Sequence, residues 1–125
     1  MAKTILIIED DNFLQGLETT KLTKEGYSVL TASNSVEAFK IIETPTNKID
    51  LILLDLLLPE VDGFMILEKI RENKNLLTIP VIVFSNLSED KDIERVQKLG
   101  VSEFMVKSNF TLDELAKKVR ELIGE

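Results

Sequence analysis

The chain has 125 residues, 44% hydrophobic and 30% charged, the balance of one soluble domain with an ordinary core. It holds no cysteine and no histidine, which excludes a disulfide framework, thiol chemistry, Cys- or His-ligated zinc and a histidine general base. A net charge of −7 argues against a nucleic-acid surface, whose footprint is basic, and no apolar run approaches the ~20 residues of a membrane span. Met1-Ala2-Lys3-Thr4 leads straight into a β-like run and not into a signal peptide, so a cytoplasmic protein is expected, and the matches to a glycosylation pattern at Asn86 and Asn109 are read as chance.

Thr4–Ile8 is a β-branched apolar run and reads as a buried strand ending in three acids, Glu9, Asp10 and Asp11. A helix follows over about 12–25, capped by Asp11 and stopped by Gly26, with Phe13, Leu14, Leu17 and Leu22 as its expected apolar face. Residues 27–31 read as a second strand. Asn34 and Glu37 stand at capping-box spacing for a helix through about Glu43 that buries Ala38, Phe39 and Ile42, and Pro45 closes it. The third strand lies in the most apolar stretch of all, bounded by Asp50 and Pro59, with the lone carboxylate of Asp55 inside it and expected at the strand's carboxyl end. A short continuous apolar run of this kind is buried on both faces, as in the middle of a parallel sheet. Asp62 is the expected cap of a helix over 63–73, with Phe64, Leu67 and Ile70 inward. A fourth strand runs over 80–85 and a thinly apolar helix from Ser88 to Leu99, with only Ile93, Val96 and Leu99 to bury. The fifth strand is 103–106. Thr111 and Glu114 open a last helix whose residues Leu112, Leu115, Ala116, Val119, Leu122 and Ile123 share one face.

Strands alternating with helices five times over predict one α/β domain spanning 1–125. The expected architecture is a flavodoxin-like (βα)5 doubly wound sandwich around a five-stranded parallel sheet of order 2-1-3-4-5. No linker, repeat or low-complexity run interrupts it, and the chain reads either as a stand-alone unit or as a fragment cut after its fifth helix.

In such sheets ligands bind at the carboxyl ends of the strands. Glu9, Asp10 and Asp11 end strand 1, Asp55 ends strand 3, Ser85 and Asn86 end strand 4, and Lys107 and Ser108 end strand 5. Carboxylates gathered within a few ångströms repel, and a hard divalent cation such as Mg²⁺ removes the repulsion. Each residue also has an ordinary reading. Asp11 is more simply a helix cap, serine after a strand is common, and Phe104 is core by spacing. For Asp10 and Asp55, facing each other across the sheet, the metal reading is stronger. A carboxylate beside a bound cation can act as a nucleophile toward phosphorus, with a lysine and a hydroxyl holding the other phosphoryl oxygens. Without a histidine to activate water, the pattern suits acceptance of a phosphoryl group more than its rapid hydrolysis. A flavodoxin-type cofactor site fits poorly, because three acids after strand 1 would repel the phosphate of FMN.

The stretches Ile5–Asp11, Leu53–Gly63, Pro80–Ser85 and Phe104–Lys107, in that order and spacing, resemble the receiver domain of bacterial two-component response regulators, the CheY-like superfamily. The resemblance covers Ile5 to Ile123. It implies that Asp55 is the phosphoacceptor, that Asp10 binds Mg²⁺ (or Mn²⁺) directly and Glu9 through water, and that the backbone carbonyl of Leu57 completes the protein's share of the metal site. It further implies that Ser85 and Phe104 are switch residues and that Ser85, Asn86 and Lys107 meet the phosphoryl group. A histidine kinase or histidine phosphotransfer protein would be the donor. A downstream protein or a second copy would bind the face of helix 4, strand 5 and helix 5, with no direct contact to nucleic acid or membrane. On that reading the protein is not an enzyme but an acceptor that assists its own phosphorylation and slow dephosphorylation. An interaction module that works without phosphorylation is the alternative. Asn86 stands where a small residue is usual, Ser108 replaces a proline, and Phe104 carries no hydroxyl. A trans Lys107–Ser108 bond is expected, since a cis bond costs ~2.5–4 kcal/mol without proline. The apolar Leu57 leads us to expect slow access of water.

Overall fold

The computed structural model describes residues 2–58, 63–87 and 89–124. Five parallel strands, β1 (Thr4–Ile8), β2 (Ser28–Ala32), β3 (Leu51–Leu54), β4 (Val81–Ser85) and β5 (Glu103–Val106), form one sheet of order β2-β1-β3-β4-β5. The helices between and after them are α1 (Asn12–Lys24), α2 (Ser35–Glu43), α3 (Gly63–Glu72), α4 (Asp90–Leu99) and α5 (Leu112–Ile123). This is the expected doubly wound sandwich.

The sheet alternates strictly between two apolar layers, because successive strand residues point to opposite faces. Leu6, Ile8, Ile52, Leu54, Val81 and Val83 meet Ala38 of α2, Phe64 and Leu67 of α3 and Val96 of α4. Ile5, Ile7, Leu51, Leu53, Ile82 and Phe84 meet Leu22 of α1 and Leu115, Ala116 and Val119 of α5. The predicted caps of the described helices form. Asp11 accepts from the Leu14 N–H, Asn34 from the Glu37 N–H, and Thr111 and Glu114 make a reciprocal box. Gly26, at φ +99°, takes the left-handed position just past α1. The expected cap Asp62 and the expected first residue of the fourth helix, Ser88, lie outside the described residues. Within them, α4 begins after Glu89, whose side chain makes no capping bond.

One expectation fails. Phe13 is 78% and Leu17 42% exposed, so they are not the inward face of α1. The buried residues of α1 are Leu22, as expected, and Glu18 one turn before it, with Leu14 partly buried a further turn back. A carboxylate stands in that stripe, so the apolar residues of α1 alone make the inward face look broader and turned toward Phe13 and Leu17. Glu18 is 1% exposed.

Candidate functional site

Alternation decides where the site's side chains point. Ile5 and Ile7 face the α1/α5 layer, so Glu9, two positions on, continues that face, and Leu51 and Leu53 do the same for Asp55. The ladder carries on past the strands: the Glu9 N–H donates to the Ala32 carbonyl (3.0 Å) and the Asp55 N–H to the Ile8 carbonyl (3.0 Å). Glu9 and Asp55 are therefore held as rigidly as strand residues while standing at the open edge, 2% and 5% exposed. On the far side of the sheet, Val81, Val83 and Phe104 belong to the α2–α4 layer, which places Ser85 on Phe104's face.

Lys107 joins the two acids. Its Nζ lies 2.5 Å from Glu9 Oε1 and 2.6 Å from Asp55 Oδ2. The other Asp55 oxygen, Oδ1, accepts from the Leu57 N–H at 2.9 Å, and Glu9 Oε2 accepts from the Asp11 N–H at 3.2 Å. Asp10 completes a carboxylate triad: one oxygen each from Glu9, Asp10 and Asp55 lie within 4.8 Å of one another. Burial pushes the Glu9 carboxyl up to about 7, against the hydrogen bond from Lys107 and with the help of the Asp55 charge. Burial works against the Lys107 ammonium too, but its bonds to Asp55 and Glu9 outweigh it and hold the lysine above its ordinary value. Three acids sharing one ammonium leave the site short of positive charge. All the donors are oxygens, as a hard divalent cation requires, so the residues present fit Mg²⁺ or Mn²⁺.

The structure thus brings Glu9, Asp10, Asp55 and Lys107 together and sets Leu57 beside them with its side chain half exposed. Ser85 is fully buried, and its Oγ accepts weakly from the Leu87 N–H at 3.4 Å. Phe104 is half-buried and lines a cavity of about 330 Å³ with Ile93, Gln97, Val101 and Phe110. No peptide bond among the described residues is cis, so Lys107–Ser108 is trans, and Lys107–Asn109 form a single 3-10 turn. Asn86 accepts from the Ser108 N–H at 3.2 Å.

Two residues escaped the sequence reading. Gln15 Nε2 donates to the Glu9 carbonyl (2.9 Å) and lies 3.3 Å from both the Ala32 carbonyl and Ser33 Oγ, tying α1 to the ends of β1 and β2. A polar residue on the half-buried first turn of a helix was the only signal for it. The second is Gly63, whose N–H reaches the Leu56 carbonyl at 3.2 Å; a Cβ there would overlap the Leu56 backbone. Only glycine lets α3 begin this close to the turn that follows Asp55.

Residues 5–120 match the family model of the response regulator receiver domain. The chain belongs to the response regulator receiver family. This receiver is similar to the transcriptional regulatory protein KdpE of Staphylococcus aureus, 40% identical over 121 residues, which cover 96% of this chain and 49% of that protein. It spans about half the length of such curated relatives. A CheY-like receiver domain protein from Methanospirillum hungatei superposes with a TM-score of 0.88 at 25% identity, covering 97% of this chain and 93% of that one. The receiver domain of the sensor histidine kinase PA1611 from Pseudomonas aeruginosa, solved with magnesium in its active-site cleft, superposes at 0.83 and 26% identity over 100% of both chains. The receiver is accordingly a phosphoacceptor module of two-component signal transduction, a system in which response regulators work with histidine kinases. Among the described residues no helix is long and apolar enough to cross a membrane.

Proposed function

We propose that Asp55 is the phosphoacceptor of this receiver. The observation that carries this is the bridge from Lys107 to Asp55 and Glu9 beside Asp10. An Asp55 carboxylate oxygen attacks the phosphorus of a phosphohistidine on a kinase or phosphotransfer protein. The O–P bond forms, the P–N bond breaks, and the leaving imidazole takes up a proton. Asp10, Asp55 and the Leu57 carbonyl would hold Mg²⁺ directly, with Glu9 acting through water. When bound, the ion offsets charge on the transferred group. Lys107 keeps its hold on the Asp55 side and follows a phosphoryl oxygen, while the Ser85 hydroxyl and Asn86 take others. With no histidine in the chain, hydrolysis of the product has no imidazole base and is slow, so the module is an acceptor and not an enzyme acting on a separate substrate. We place this reaction in the cytoplasm. Phe13 and Leu17, exposed on α1 just beyond the acids, give the donor protein an apolar landing next to the site.

Readout follows from the other face. A phosphoryl group adds charge and three strong acceptor oxygens, and Ser85 turns its hydroxyl toward them. Phe104 shares Ser85's face, and when Ser85 moves toward Asp55 it vacates space behind β4 that Phe104 can turn inward to fill. Burial of a phenylalanine stabilises by roughly 1.5–3 kcal/mol, enough to bias a two-state element. The element that gives is α4, with Val96 its one fully buried residue and no side-chain cap among the described residues. The α4–β5–α5 face then binds a downstream protein or a second copy, with no direct contact to nucleic acid from this domain. Amide exchange with and without Mg²⁺ and fluoroberyllate tests this. The expected result is changed protection from Glu89 to Val106; changes confined to the loops around Asp55 favour a module that does not switch.

A further inference from the structure

The two residues at which this chain departs from the usual receiver pattern around the phosphoryl site touch each other. The Ser108 N–H donates to Asn86 Oδ1 at 3.2 Å. A proline at 108 has no N–H to give, and a small apolar residue at 86 has no oxygen to receive it. Each departure therefore supplies the partner that the other needs. Their place in the fold is specific. β4 and β5 pair up to Ser85↔Val106, where the backbone ladder ends. Asn86 is the next residue on one side and Lys107 the next on the other, so the Asn86 carboxamide adds one side-chain rung just past the last backbone pair. That rung spans the residue after Ser85 and the residue after Lys107. Within the 3-10 turn begun by Lys107, the bond from the Phe110 N–H to the Lys107 carbonyl is long, 3.5 Å.

We propose that Asn86 and Ser108 form one positioning pair that fixes the separation of the Ser85 hydroxyl and the Lys107 ammonium, doing in a trans loop what a rigid Lys-Pro bond would otherwise do. The proposal rests on the reading of Asp55, Ser85 and Lys107 as the phosphoryl site. Neither residue of the pair is the acceptor: Ser108 acts through Lys107 and Ser85, and Asn86 does so through its Oδ1, while its amide NH₂ stays available to a phosphoryl oxygen.

The test is a double-mutant cycle on the full chain with Asn86→Ala, Ser108→Pro and both together, plus Ser108→Ala, which keeps the N–H. Two readouts are taken: amide exchange at Ser108 without phosphodonor, and the rate of Asp55 phosphorylation by acetyl phosphate with Mg²⁺. Asn86→Ala should speed Ser108 exchange and phosphorylation should slow, each by about three- to tenfold. Ser108→Pro should slow phosphorylation in the parent but not further in the Asn86→Ala background, and Ser108→Ala should keep the parent rate. Multiplicative effects of Asn86→Ala and Ser108→Pro, or unchanged Ser108 exchange in Asn86→Ala, would overturn the pair. If the parent itself takes no phosphoryl group, the reading of Asp55 fails, while the exchange readout still decides the contact.

Discussion

Glu18 sits inside α1 with its Oε1 buried and without a hydrogen-bond partner among the described residues. Burial pushes its carboxyl up to about 8; the charges of Glu9, Asp55 and Asp11 add to the rise and Lys107 opposes it. Its ordinary value is 4.5. Below that pH the folded and unfolded chains both hold the proton. Between pH 4.5 and about 8 only the unfolded chain releases it, so stability falls as pH rises, and above 8 the loss is complete. At about 1.4 kcal/mol per pH unit, the decline between pH 5 and 8 is on the order of 3 kcal/mol. Glu18→Leu has no such titration. It also removes a buried oxygen without a partner, worth about 1–3 kcal/mol, and adds apolar contact beside Leu22. Urea unfolding of parent and variant across pH 5 to 8.5, without metal, measures the difference. Glu9 titrates in both chains and largely cancels. The variant is expected to be the more stable throughout, with a gap that widens toward high pH, and Glu18→Gln should lose the pH dependence without gaining the apolar contact. A gap that stays constant from pH 5 to 8 would refute the assignment of a buried, protonated Glu18.

Other substitutions separate the roles at the site. Lys107→Met frees Glu9 and Asp55 from the ammonium that competes for them, so Mg²⁺ should bind about tenfold more tightly by titration calorimetry, while the fluoroberyllate-induced change in amide exchange over α4 is lost. Phe13→Ser should leave phosphorylation by acetyl phosphate at the parent rate and slow transfer from a phosphohistidine protein severalfold, because only the protein donor needs an apolar landing; equal effects on both donors would remove α1 from the interface.

The fold was readable because each strand and helix announced itself by period and cap: the apolar run between Asp50 and Pro59, within which β3 lies, Asn34 and Thr111 as caps, Gly26 as a stop. The acids and Lys107 were readable because each stands at the end of a strand, where chain order alone brings them to one edge. The inward side of α1 was readable only in part: Leu22 is inward, but its stripe contains Glu18, a carboxylate in a core position, and Phe13 and Leu17 stay outside. Gln15 was missed for a related reason: its three acceptors lie at the ends of two different strands, and nothing local marks them. Asn86 and Ser108 were visible as separate oddities 22 positions apart, and only the β4–β5 pairing shows that they meet.

The central claim is that Asp55 accepts the phosphoryl group with a divalent cation held by its neighbours. Peptide mapping by mass spectrometry after reaction with acetyl phosphate tests it most directly. One modified residue is expected, Asp55, labelled with Mg²⁺ or Mn²⁺ and not in excess chelator, with no label in Asp55→Asn. Undiminished labelling of Asp55→Asn, or labelling of the parent in chelator, would contradict it.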